Sequence, residues 1–264
     1  MDQSLNIHGN RIEGLLIDLD GVLYVGHTAV PGAAETVERI RDRGIPMRFI
    51  TNTTTKPRST LIAQLADLGF LVEAHELLTA PMVAVQYLRT KGNPRCKFLL
   101  NDSVLEDFEE FEKSGNHADA VVIGDIGDAW NYDLLNGAFR VVMDGAELIA
   151  LHRNKFWETA NGLRMDIGAF VVGLEYATGT KATIIGKPSA EFFDIAVRNL
   201  NVARDRIAMI GDDVDSDVGG AQRSGLLGIL VKTGKYRSDY VAGSGVTPDA
   251  TLGSVADLGN YFNG

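Results

Sequence analysis

The sequence predicts an α/β fold: a Rossmann-like, doubly wound parallel sheet interrupted by a second, smaller α/β domain. Three observations carry this. Short, continuously apolar segments alternate with amphipathic stretches. The apolar segments lack the in-out alternation of a half-exposed sheet, as expected for parallel strands covered on both faces. Polar, acid-rich clusters follow directly on several of these segments, where an open α/β sheet places its ligand.

The elements follow in order. Residues 14–17, Gly-Leu-Leu-Ile, form a buried strand that ends in Asp18. Residues 31–43 read as a helix, with Val37 and Ile40 on one side and charges opposite. Residues 46–50 form a second strand ending at Thr51-Asn52. Residues 59–68 are helical, with Leu61, Ile62, Leu65 and Leu68 at helix spacing and Gly69 as the stop. Residues 207–210 form a strand ending at Gly211-Asp212, and residues 226–231 form another.

The middle of the chain has its own alternation. Strands are expected at 97–100, 120–124 and 148–152, Phe139 to Met143 lie in a helical stretch, and 170–176 form a helix followed by Gly179. This region lacks the acidic clusters. Residues 80–181 are therefore read as the inserted domain, and residues 1–79 with 182–264 as the core. The tail, 241–264, is expected to be exposed at its start and weakly helical near its end.

Composition narrows the function. A chain of 264 residues with 45% hydrophobic residues builds a real core, and a net charge of −10 disfavours nucleic acid and anionic lipid as partners. One cysteine, Cys96, excludes an intrachain disulfide. Residues 1–11 are polar, without a signal pattern, and no apolar run approaches the roughly 18 residues of a membrane span. A cytoplasmic location is the expectation.

Four clusters carry chemistry. Asp18 and Asp20 flank one residue at a strand end that turns through Gly21. Two carboxylates held that close call for a cation between them, and oxygen ligands with few protein groups suit Mg2+. One carboxylate can then attack phosphorus while the other handles protons. Thr51, Asn52 and Thr53 offer a hydroxyl and backbone amides to phosphate oxygens, although the same residues serve as ordinary caps. Gly186-Lys187-Pro188-Ser189 sets a point cation just before a helix. Gly211-Asp212-Asp213-Val214-Asp215-Ser216-Asp217 places four acids directly after an apolar strand. The helix dipole accounts for one or two of them and a metal for more. Each cluster alone has a bland explanation; their shared position after apolar segments is the stronger signal.

These motifs, in this order, resemble the haloacid dehalogenase superfamily of aspartyl-phosphate hydrolases. Asp-Gly-Val-Leu-Tyr at 20–24, with an insert between the second and third motifs, looks like its subfamily with a large α/β cap. The resemblance implies that Asp18 is the nucleophile and Asp20 the general acid/base. It makes Thr51 and Asn52 the phosphate-binding second motif, Lys187 the third, and Asp212 the metal acid of the fourth. Mg2+ would bind Asp18, the Asp20 carbonyl and Asp212, with Asp213 and Asp217 ordering waters or the loop. Gly186 to Phe192, Gly211-Asp212-Asp213, Asp217 to Arg223 and Lys232-Thr233-Gly234-Lys235 are similar to the phospholysine phosphohistidine inorganic pyrophosphate phosphatases. The chain departs from that group at Asp20, where the group can carry Ser.

The implied partner is a small phosphorylated substrate, with the cap reading its leaving group through His152, Arg153 and Asn154, and Lys155 and Asp166 as further candidates. Phe156 and Trp157 are expected in the cap core. Caps of this type often mediate dimers, so the resemblance also implies a homodimer. Phosphoryl transfer to another acceptor, halide displacement and non-catalytic phospho-ligand binding compete with this reading. Asp20 argues against the last two, since neither needs a proton donor.

Overall fold

In a computed structural model, the structure describes residues 4–115, 117–159, 162–198 and 200–262; the extreme ends of the 1–11 and 241–264 segments lie outside these. The chain divides into two compact units. One comprises Met1–Thr51, Leu61–Leu78 and Lys187–Gly264, and the other Asn52–Thr60 and Thr79–Gly186.

The first unit is built on a sheet with the strand order Ala250–Leu252, Leu227–Val231, Ile207–Gly211, Gly14–Asp18, Met47–Thr51, Leu77–Thr79. The first five of these pair in parallel. Every residue of Gly14–Asp18 and Ile207–Gly211 is buried. Burial on both faces is why these strands read as unbroken apolar runs. Helices Ala33–Asp42 and Arg58–Asp67 lie close to the bounds expected of them. Val37 and Ile40 face the core with Ile17, Phe49, Leu61 and Leu65. The register brings the functional strand ends together: Asp18 lies opposite Ile50, and Ile17 opposite Ile210. Asp18, Thr51 and Asp212 therefore emerge at the same edge of three neighbouring strands.

The second unit carries a parallel four-stranded sheet in the order Thr183–Ile184, Glu147–Ala150, Ala120–Ile123, Cys96–Leu99. Its helices are Ala80–Thr90, Tyr132–Met143 and Gly168–Thr178. Thr79 accepts from the Met82 amide and Asn131 from the Leu134 amide, so two of the helices have side-chain N-caps. Gly179, at φ 69°, ends the third. Among the described residues, no helix is long and apolar enough to cross a membrane.

The structure differs from the sequence reading in several places. Residues 1–11 contain half of a hairpin, Leu5–Ile7 against Asn10–Ile12, whose Leu5, Ile7 and Ile12 are buried in the main core. Strand Ala250–Leu252, inside the tail, closes one sheet edge; three residues are too few to show a period. The tail is helical near its end, as expected: Val255–Tyr261 is a 3₁₀ helix with a capping box at Ser254 and Asp257. Trp157, expected in a core, is instead 36% exposed. It lies on an antiparallel hairpin, Phe156–Thr159 against Gly162–Met165, whose Leu163, Arg164 and Met165 are exposed as well.

Candidate active site

Asp18, Asp212 and Asp217 are all buried, and each offers a carboxylate oxygen such that the three lie within 4.8 Å of one another. Lys187, 3% exposed at its side chain, sits among them. Its Nζ is 2.8 Å from Asp18 Oδ1 and 2.7 Å from Asp217 Oδ1. Residues 18, 187, 212 and 217, distant in sequence, thus share one site.

Local structure explains how Asp217 gets there. After strand Ile207–Gly211 the chain forms a single π turn, Val214–Val218. The amides of Asp217 and Val218 both donate to the Asp213 carbonyl, and Asp213 Oδ1 caps the turn by accepting from the Asp215 and Ser216 amides. This wide turn carries Asp217 back toward the strand end, where its Oδ2 accepts from the Asp213 amide at 3.2 Å. π turns of this kind recur at functional sites. Asp217 is accordingly a central member of the cluster. Asp215 points elsewhere and accepts from the Tyr240 hydroxyl.

The sequence reading gave no role to the turn after strand Leu227–Val231. Lys235 donates its backbone amide to Asp212 Oδ2 at 2.7 Å, and its Nζ lies 3.5 Å from Asp213 Oδ2. The Thr233 hydroxyl donates to the Gly21 carbonyl. Gly21 and Gly234 have φ of 86° and 61°, and a Cβ at either would overlap the Asp212 carboxylate. The Lys-Thr-Gly-Lys run was visible in sequence, but its contact with a residue about twenty positions earlier was not.

The electrostatics are those of a cation site. Burial pushes Asp212 well above the usual carboxylate range; Lys235 opposes this, while Asp18 and Asp217 add to it. Burial likewise pushes Asp217 up to about 7, against the pull of Lys187. Burial works against the Lys187 ammonium, but Asp18 and Asp217 outweigh it and hold its pKa above the ordinary value. Lys235 is held up in the same way by Asp213 and Asp212. Asp213 is lowered: burial would raise it, but Lys235 and the amides of the turn prevail. Four carboxylates against two lysines leave a formal charge of −2, and Asp212 Oδ1 is buried without a hydrogen-bond partner. An all-oxygen, doubly negative site with an unused ligand atom fits a hard divalent cation.

The remaining candidates are placed as follows. Asp20 is exposed, one residue beyond buried Leu19, in a tight turn whose Gly21 amide donates to the Tyr24 carbonyl at 2.7 Å. Thr51 is buried at the end of its strand. Asn52 and Thr53 belong to the second unit, where a Cβ at Gly186 would overlap Asn52 Oδ1. His152 and Asp166 are both buried there, with Nε2 and Oδ1 3.9 Å apart. The Asn154 amide donates to His152 Nδ1 at 3.4 Å. Arg153 pairs with buried Glu175 at 3.1 Å, and Lys155 accepts the Asp166 amide at its carbonyl.

Comparison with known proteins places these features in a wider set. A family model described as haloacid dehalogenase-like hydrolase matches residues 15–114, and a second, HAD-hydrolase-like, matches residues 184–258. The human haloacid dehalogenase-like hydrolase domain-containing protein 2 is 42% identical over 227 residues, 86% of either chain. The human phospholysine phosphohistidine inorganic pyrophosphate phosphatase is 36% identical over 252 residues, 93% of this chain and 92% of that one. Among solved structures, a 4-nitrophenylphosphatase of Thermotoga maritima superposes with a TM-score of 0.87 at 25% identity, covering 94% of this chain and 97% of that one. A p-nitrophenyl phosphatase of Archaeoglobus fulgidus gives 0.88 at 25% identity, with 95% and 99% covered.

Proposed function

Because this chain belongs to the haloacid dehalogenase-like hydrolase family, we propose that it is a Mg2+-dependent phosphatase that carries the phosphoryl group on Asp18. The observation that carries this reading is the buried cluster of Asp18, Asp212 and Asp217 around Lys187.

Asp18 and Asp212, with the backbone carbonyl of Asp20, would hold the ion. Bound there, Mg2+ supplies positive charge to the transferring phosphoryl oxygens. An Asp18 oxygen attacks phosphorus, and the bond from phosphorus to the leaving oxygen breaks. Asp20, protonated, gives its proton to that oxygen. Asp20 then takes a proton from a water that attacks the phosphoaspartate, and this releases phosphate and restores Asp18. Lys187 offsets the negative charge of Asp18 and the phosphoryl group together. Thr51, Asn52 and Thr53 hold the transferring oxygens, and Asp213 and Asp217 support the metal loop and Lys187.

A proton donor at position 20 is needed most when the leaving group is an alkoxide, so small phosphoric monoesters are the substrate class this reading favours. Selection among them is assigned to His152, Arg153 and Asn154. The protein is taken to act in the cytoplasm, without nucleic acid or membrane, as a homodimer formed through the inserted unit.

The test is phosphate release from p-nitrophenyl phosphate with and without Mg2+. Wild-type protein turns over only with the ion, and Asp18→Asn abolishes turnover while keeping the wild-type circular dichroism spectrum. Phosphate trapped on any residue other than Asp18 contradicts the nucleophile assignment.

A further inference from the structure

We infer that the turn Thr233-Gly234-Lys235 is a clamp that fixes the Asp20-Gly21 loop against Asp212 and reserves one Asp212 oxygen for the cation, with Thr233 as its positioning residue. The inference rests on the phosphatase reading above and adds residues to it.

Three strand ends meet at this point. The turn follows strand Leu227–Val231, Asp212 follows Ile207–Gly211, and Gly21 lies three residues beyond Gly14–Asp18. The turn contacts both of the others. The Thr233 hydroxyl donates to the Gly21 carbonyl, and the Lys235 amide donates to Asp212 Oδ2 at 2.7 Å. The turn is closed by the Tyr236 amide donating to the Thr233 carbonyl. It can come this close only because Gly234 has no side chain: a Cβ there would strike both Asp212 Oδ2 and Gly21 Cα. Gly21 has the complementary restriction, since its own Cβ would strike Asp212 Oδ2. Backbone therefore packs against backbone, with the Asp212 carboxylate wedged between.

Two consequences follow for the reaction. With Oδ2 committed to the Lys235 amide, Asp212 presents Oδ1, its buried oxygen without a hydrogen-bond partner, to the ion. A carboxylate with one oxygen fixed loses less freedom on coordinating a metal. The Thr233 hydroxyl also anchors the Gly21 carbonyl, one peptide beyond Asp20, and through it the turn from which the exposed Asp20 side chain projects. Glycine has no side chain to restrict its own peptide, so the Gly21 carbonyl is oriented by the hydrogen bonds around it, the Thr233 hydroxyl among them.

The experiment compares Thr233→Val, which keeps the shape and removes the hydroxyl, with Thr233→Ser, which keeps the hydroxyl. Mg2+ affinity is measured by isothermal titration calorimetry on the full chain, and kcat and KM for p-nitrophenyl phosphate are measured separately. Removal of an outer hydrogen bond that orients a metal site typically costs about 10–100-fold. Thr233→Val is expected to lose on the order of tenfold in Mg2+ affinity and at least as much in kcat, with KM nearly unchanged. Thr233→Ser is expected to stay within about threefold of wild type, in line with a retained hydrogen bond. Thr233→Ala takes the place of Val if the latter does not fold. If wild-type protein binds Mg2+ and turns over, and the folded Val or Ala variant matches it in both affinity and kcat, the clamp is overturned and the phosphatase reading stands. If wild-type protein itself neither binds Mg2+ nor hydrolyses the ester, the phosphatase reading fails first, and the clamp fails with it.

Discussion

Replacing Lys187 by Met tests the energetic centre of the site. The substitution keeps the length and apolar stem of the side chain and deletes its charge. Lys187 Nζ lies 2.8 Å from Asp18 and 2.7 Å from Asp217, and all three side chains are nearly sealed from solvent. Removing one member of a buried ion pair typically costs 3–5 kcal/mol, because the partner stays buried without its counter-charge. Here two carboxylates lose one lysine, so about 5 kcal/mol is expected at alkaline pH. Protonation moderates the loss. Asp217 already titrates at about 7 with Lys187 opposing its rise, so without the lysine it holds its proton to higher pH. The variant's folded state then binds the extra proton above pH 7, and its deficit grows as pH rises from about 7 to 9. Both tryptophans, Trp130 and Trp157, lie in the other unit, so tryptophan fluorescence is the wrong probe. Hydrogen exchange of peptides covering Gly14–Asp18 and Ile207–Gly211, in EDTA at pH 6.5 and 8.5 (roughly bracketing the Asp217 midpoint), reads the local stability. Adding Mg2+ should restore more stability to the variant than to wild type, since Asp18 and Asp217 have then lost the lysine that lay between them. Equal protection in both proteins at both pH values would refute the claim that Lys187 is the counter-charge of this cluster.

Two further outcomes are expected. In EDTA the wild-type core should lose stability as pH rises from about 4 to about 7, because Asp217 is protonated in the folded state up to about 7 but only to about 4 when unfolded; saturating Mg2+ should flatten that slope in calorimetric scans at successive pH values, and an identical slope with and without the ion would contradict it. Arg153→Met should lower the stability of the second unit by about 1–3 kcal/mol in tryptophan-monitored urea unfolding, since Glu175, 5% exposed, keeps the distant Lys181 and the Ala182 amide; unchanged stability would refute this structural role of the pair, whatever the variant does to the order of rates across a panel of phosphate esters.

Much of the fold was legible because parallel strands buried on both faces carry an unbroken apolar signal, as Ile207–Gly211 does. The strands that escaped notice were short. Leu5–Ile7 and Ala250–Leu252 have three residues each, and only tertiary partners reveal them. At the site, acids just past strand ends could be seen in sequence because topology alone brings those ends together. The convergence of Lys187 could be guessed from its residue type but not measured. Asp217 could be read as an acid supporting the metal loop, but not as a direct partner of Lys187, because a π turn rather than an α turn decides where it points. Lys235 and Thr233 stood out only as part of a run resembling a known group, with no role that could be read from it. Their roles come from a backbone amide and a hydroxyl meeting residues about 20 and about 210 positions away.

The site's own charges reconcile the acidity of the chain with the anionic nature of a phosphate ester. Without the ion, the cluster answers burial with protons and lysines: Asp212 and Asp217 are both driven toward their neutral forms, and Lys187 is shared between Asp18 and Asp217. On the proposed reading, a divalent ion would displace those protons and satisfy Asp212 Oδ1, so its affinity would fall steeply below the pH at which Asp217 titrates. It would also free Lys187 from balancing carboxylates alone. Only then would the site have positive charge to offer an incoming phosphoryl group. On this argument ion and substrate bind with positive coupling, and a cation-free cluster is a poor phosphate site despite its two lysines.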